Sequence, residues 1–328
     1  VTATPAGTNL RLALLFVLFA VVVGAWGLTC AAWRFDRVAA GVVPLEPREF
    51  ERMTLVTLGT AGAHEDHNRR GPALALALAR DVVLVDSGRG VAEALRKAKI
   101  PVSQPGVVLL TSALPENVVG LDDLLAAAEL SGRNEPLKVY GPAGSAEVVR
   151  AAAAAALPGM RARRAALGIA GEPPALEPAE IASGFALELG AMTVRAGELP
   201  GGPLPALAWR FEWRGRVALV SGAGWSGDAL AAFGQGAHLL VHEAAMLPTP
   251  EQAREIGLEE EPEQLRREAA LHTGFDAVGE LARKVGAQTL VLVRLRPPPV
   301  FALQITSLVD DTFSGQVEIP EDGDEFTP

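Results

Sequence analysis

The chain is 328 residues long and 49% hydrophobic, enough to bury one large core or two modest ones. A formal net charge of -10 argues against a binder of phosphate backbones, which needs a dominant basic face. The single cysteine, Cys30, excludes an internal disulfide framework and a four-cysteine zinc site, and the five histidines (His64, His67, His238, His242, His272) would have to gather to hold a metal.

Residues 1–11 form a short flank. From Leu12 to Trp33 no charged residue occurs, and Arg11 and Arg34 bracket the run. Roughly 20 apolar residues at 1.5 Å rise cross a hydrocarbon core of about 30 Å, and this run lacks the polar stripe of a core helix. Trp26 and Trp33 stand towards its far end, where amphipathic rings prefer the headgroup layer. The reading is a single transmembrane anchor over 12–33. It is expected to stay uncleaved, because Thr29-Cys30-Ala31 is a poor cleavage site. Arg34, Arg37, Arg48 and Arg52 outnumber Arg11 across the run, which puts the rest of the chain on the cytoplasmic face of an inner membrane.

Residues 34–52 read as a linker, and from Met53 strands alternate with helices. Strands are predicted at Met53–Leu58, Ala73–Ala79 and Val82–Val85, the second apolar throughout and so buried on both faces. A helix at Gly90–Ala98, a β-branched strand at Val107–Leu110, a helix at Leu121–Leu130 and a strand at Leu137–Tyr140 follow. Alanine makes Ala146–Leu157 helical, with Ser145 as its cap, whereas Pro158–Pro178 reads as a loop or short helix. Its Arg161, Arg163 and Arg164 read as a solvated face rather than a nucleic-acid contact. Four strands between Phe185 and Ser221 follow, then a helix at Asp228–Phe233 and a strand at Leu239–His242. Helices at Glu263–Leu271 and Phe275–Val285 precede a strand at Leu290–Val293. Two β-rich halves, each ending in helices, suit a four-layer αββα sandwich over 53–315. The acidic residues 316–328 read as a flexible tail.

Six short motifs recur in order: Leu58-Gly59-Thr60, Leu84-Val85-Asp86-Ser87-Gly88, Tyr140-Gly141-Pro142, Ser221-Gly222, His242-Glu243-Ala244 and Leu271-His272-Thr273. Together they resemble the metallo-β-lactamase superfamily, and most closely its ribonuclease Z-like branch of phosphodiesterases and related hydrolases. The resemblance implies two zinc ions gripped by a Thr-His-x-His-x-Asp-His loop. Here that loop reads Thr111-Ser112-Ala113-Leu114-Pro115-Glu116-Asn117. Ser112, Leu114, Glu116 and Asn117 thus stand at ligand positions. Matching the later motifs places Gly201, Ala223 and Arg294 at the other three.

Zinc takes imidazole, thiolate or carboxylate donors, about three per catalytic ion, and only Glu116 offers one. Without a metal there is no low-pKa water for ester attack. The expectation is therefore a protein that is not an enzyme, with no metal and no cofactor. It would serve as an anchored accessory subunit beside other integral membrane proteins, without nucleic acid. Two alternatives stay open. One is a sensor keeping a phosphate- or nucleotide-like ligand near His242, His272, Thr273 and Arg294; the other is a hydrolase with a non-standard metal site, for which His64 and His67 are weak candidates. Ser112 has no evident base that would make it a nucleophile. Asp86 and Gly88 are read as supports of the fold.

Overall fold

A computed structural model describes residues 6–42, 44–63, 66–200, 204–224, 227–257, 261–298 and 302–328. They fall into two compact units that divide after Leu45.

The first unit is a helix, α1 (Ala6–Val42). Its stretch Leu14–Phe35 is 22 residues long with a mean hydropathy of 2.4, long and apolar enough to cross a membrane, and its side chains there are exposed. At 1.5 Å per residue it measures about 33 Å. The predicted anchor residues Leu12, Trp26 and Trp33 all lie in this helix, which continues through the first part of the predicted linker.

The second unit opens with β1 (Phe50–Gly59), β2 (Ala73–Ala79), β3 (Asp81–Val85), α2 (Val91–Lys97), β4 (Val107–Leu109), α3 (Pro115–Val118), α4 (Leu121–Leu130), β5 (Leu137–Gly141), α5 (Ser145–Leu167) and β6 (Leu176–Glu180). Its second half holds β7 (Ala186–Leu189), β8 (Met192–Glu198), β9 (Leu207–Trp213), β10 (Arg216–Ser221), α6 (Asp228–Phe233), β11 (Leu239–Ala245), α7 (Pro250–Glu255), α8 (Pro262–Ala269), α9 (Phe275–Val285), β12 (Thr289–Arg296), α10 (Ala302–Asp310), β13 (Gln316–Glu318) and β14 (Glu325–Phe326). The strands form two seven-stranded sheets, ordered β14-β1-β2-β3-β4-β5-β6 and β13-β12-β11-β10-β9-β8-β7.

Three buried clusters account for the four layers. Leu55, Leu74, Leu76, Leu78, Val85, Val194, Trp209, Phe211, Val241 and Val293 fill the space between the sheets. Ala73, Ala75, Ala77 and Leu84 face α2, α4 and α5 on one outer side, and Leu219, Leu240 and Leu292 face α6, α9 and α10 on the other. The run Ala73–Ala79 shows how the sequence does this. Its leucines enter the sheet–sheet core, and its small alanines let the helical layer approach.

Besides elements the sequence did not mark, among them β6, α7 and α10, two segments differ from their predicted state. The segment Pro158–Pro178, predicted as a loop or short helix, begins as a continuation of the preceding helix: α5 runs through Pro158 to Leu167 and is closed by Gly168 in the left-handed region (φ 66°), and β6 starts at Leu176. Arg163 and Arg164 of that helix both bond Glu129 of α4, which gives the segment a tertiary partner. The acidic tail is not loose either. β14 pairs with β1, and the buried Asp322 carboxylate accepts from the Thr60 amide and hydroxyl and the Arg70 amide. Composition marks this segment as soluble, but its carboxylate meets buried donors that local patterning does not reveal.

The C-terminal ends of β3, β4, β10, β11 and β12, among them the parallel pairs β3–β4 and β11–β12, carry the residues singled out by motif. Ligand sites of open α/β sheets occupy the same position. Two glycines let these ends crowd together. A Cβ on Gly88 would come within 2.5 Å of Pro72 N, and one on Gly222 within 2.5 Å of Thr111 Oγ1.

Candidate functional site

On the β3–β4 side the centre is the Asp86 carboxylate, which is buried. Oδ1 accepts from the Thr111 amide at 2.8 Å, and Oδ2 accepts from the Thr111 hydroxyl at 2.8 Å and from the Arg294 guanidinium. Arg294 also donates through Nη1 to Asn117 Oδ1 at 2.8 Å. Asn117 in turn donates to Ser112 Oγ at 2.9 Å and Thr111 Oγ1 at 3.1 Å. Burial pushes the Asp86 carboxyl up from its ordinary value, and Arg294 and the two Thr111 bonds pull it back down. Both partners of the ion pair have left-handed backbone, Asp86 at φ 59° and Arg294 at φ 54°. For non-glycine residues that costs on the order of 1–3 kcal/mol each, tolerated only where the surroundings over-determine it.

On the β10–β11 side lies a second network. His242 is buried, its Nδ1 2.9 Å from Ser221 Oγ and its Nε2 3.4 Å from Thr273 Oγ1. Burial lowers its pKa to about 4, so the ring is neutral at physiological pH. The adjacent Glu243 is also buried and takes the amides of Gly224 and Thr273 on Oε1. Its Oε2 lies 2.9 Å from Nδ1 of the half-buried His272. That bond raises the His272 pKa from its ordinary value.

Between the two networks opens a cavity of about 330 Å³, lined by residues that include Leu114, Glu116, Ala223, Glu243, His272 and Arg294. Of the predicted remnant pocket, His272 and Arg294 reach this cavity, while His242 and Thr273 stand behind it and hold its wall. Ser112 and Asn117 are buried beneath it in the Arg294 network, where Ser112 Oγ accepts from Asn117. Gly201 and His64 lie outside the described residues, and His67 is exposed. The sequence reading quoted Glu243 within a motif but missed it as a site residue. Its signal was a carboxylate next to a strand-end histidine.

These residues do not fit a zinc pair. Among the described residues no three histidine, cysteine or carboxylate groups gather as a metal site. The two carboxylates at the centre, Asp86 and Glu243, already hold a guanidinium, three backbone amides, a hydroxyl and an imidazole. Among the described residues the unpartnered buried side-chain atoms are Ser87 Oγ, next to Asp86, Arg133 Nε and Ser145 Oγ, none of which is an imidazole, thiolate or carboxylate donor. The cation at the centre is Arg294.

The two seven-stranded sheets, their helical layers and a site at the strand ends define the metallo-β-lactamase fold. Solved structures agree. A metallo-β-lactamase fold protein, YhfI from Bacillus subtilis, superposes with a TM-score of 0.65 at 17% identity, covering 84% of this chain and 99% of its own. The short form of human tRNase Z gives 0.57 at 19% identity over 84% and 99%. In sequence the chain is ribonuclease Z-like. It is 29% identical over 271 residues to ribonuclease Z of Mycobacterium sp. strain KMS (81% of this chain, 92% of the relative). It is 27% identical over 278 residues to that of Mycobacterium bovis BCG Pasteur 1173P2 (82% and 96%). No family model matches the chain.

This similarity overturns the expectation of a protein that is not an enzyme, because the relatives spanning four fifths of the chain are ribonucleases. The expectation rested on seven substituted positions. Those substitutions bear on the zinc pair, whereas proton transfer depends on other residues, and a Glu243–His272 pair stands in the cavity wall.

Proposed function

We propose that the chain is a membrane-tethered, ribonuclease Z-like protein that holds a phosphate-ester group in the strand-end cavity, with His272 as the proton or hydrogen-bond donor to it. One observation carries this reading: Glu243 Oε2 lies 2.9 Å from His272 Nδ1, with the histidine in the cavity wall. The carboxylate fixes the ring and its tautomer, leaving Nε2 for a ligand. The Glu243 bond raises the His272 pKa and so favours the imidazolium form. An imidazolium can make a charge-assisted bond to an oxyanion or protonate a departing ester oxygen. The relatives' name, which denotes action on RNA, supports an ester of phosphoric acid as the group bound. The 22-residue apolar stretch of α1 supports the tether.

The test uses the full chain in lipid nanodiscs. Phenyl phosphate is expected to raise its melting temperature, His272→Ala to abolish that rise and Glu243→Gln to diminish it at neutral pH. Turnover of bis(4-nitrophenyl) phosphate is followed in parallel. A ligand response unchanged in both variants would overturn the assignment to this cavity.

A further inference from the structure

The cavity wall is far less polar than a site for a highly charged ligand would need. Leu114, Leu204, Leu271, Leu295 and Pro298 line it, together with Ala61 and Ala223. Two of these, Leu114 and Ala223, stand where the resemblance implies metal ligands. The charged groups of the wall are paired except Glu116, a carboxylate without a partner among the described residues. Arg294 is paired with Asp86, Arg296 with Glu268, Arg69 with Asp66 at 4.0 Å, and His272 with Glu243. A run of backbone phosphates, as in RNA, needs excess positive charge along an extended face, and this wall offers none. It offers a donor at His272, the Glu116 carboxylate and an otherwise largely apolar surface, in a volume suited to a small ligand.

We infer that the ligand is a single-headed amphiphile, an alkyl or aryl phosphate monoester whose head meets His272 and whose apolar body packs on Leu114, Leu271 and Leu295. The inference rests on the proposed role of His272. A membrane lipid such as phosphatidic acid and a soluble alkyl phosphate share this chemistry.

Equilibrium dialysis of the full chain in phosphatidylcholine nanodiscs tests it, with empty discs subtracted. The probes are ethyl, butyl and hexyl phosphate, with AMP and inorganic phosphate beside them. Affinity is expected to rise about threefold to fourfold per methylene along the alkyl series. Ala223→Trp, which fills the cavity, and Leu271→Asp, at a half-exposed wall position that folding tolerates, are each expected to remove that rise. If AMP or inorganic phosphate binds as tightly as hexyl phosphate, and His272→Ala still abolishes binding, the amphiphile is overturned while the role of His272 stands. If no probe's binding depends on His272, the proposed function itself falls. Displacement of hexyl phosphate by phosphatidic acid placed in the discs assigns the lipid source, and lack of displacement the soluble one.

Discussion

The two sides of the site use the same kind of buried carboxylate in opposite ways. On the β3–β4 side, Asp86 is closed off by a guanidinium, a backbone amide and a hydroxyl, with Asn117 locking the guanidinium from behind. On the β11 side, Glu243 takes two backbone amides and then an imidazole that still reaches the cavity. The first arrangement exhausts its charges internally and supports structure. The second keeps a titratable group in the cavity wall. Which side can do chemistry is thus decided by the partner of each carboxylate, arginine in one case and histidine in the other.

The sharpest way to break this comparison is to remove the arginine. Arg294→Leu leaves Asp86 buried without its cation, and truncating one member of a buried pair costs on the order of 3–5 kcal/mol. The variant should melt far below the parent chain, and a second change, Asp86→Asn, should recover part of the loss by removing the stranded charge. A loss under about 1 kcal/mol would mean that Arg294 is dispensable and that the two sides differ less than their geometry indicates.

Acid should divide the two sides next. His242 titrates near an ordinary value when unfolded but is held to about 4 when buried. Below the unfolded pKa the unfolded chain takes up a proton that the folded chain refuses. Stability contributed by the neutral ring therefore falls as pH drops from about 6.5 to about 4, by about 3 kcal/mol in all. His242→Gln should flatten that part of the stability–pH curve, measured by chemical denaturation. An unchanged slope would place the titrating group elsewhere.

Much of this arrangement was legible in the sequence. The motif order brought Asp86, Thr111, Ser221, His242, Glu243 and His272 to one set of strand ends, and alternating apolar runs gave the sandwich. The direction of Arg294 was not legible. The motifs place it at a former ligand position and, as an alternative, beside His242 and His272 in an anion pocket; the structure keeps it in the cavity wall with His272 and ties it to Asp86, 208 positions away in the chain. Partner choice across such a separation depends on how two strands register, and no local pattern encodes it. The same holds for Asp322, whose buried bonds to Thr60 and Arg70 turn an acidic tail into part of the first sheet's edge.

The smallest effect falls on the side read as functional. Glu243→Gln keeps the shape and the amide acceptors but removes the charge facing His272, and a hydrogen bond to a charged group contributes about 1.5–3 kcal/mol. Part of that survives through the glutamine oxygen, so the stability loss should sit at or below the low end. The His272 pKa should fall back towards its ordinary value, which a ¹⁵N-histidine titration by NMR reads directly. The sign in the parent chain follows from its raised pKa. The stabilising pair is complete below the unfolded value and is lost as pH rises through the folded one. Binding of phenyl phosphate should decline over that same rise in pH, and in Glu243→Gln the decline should begin at lower pH. A decline that ignores Glu243 would move the ligand contact away from His272.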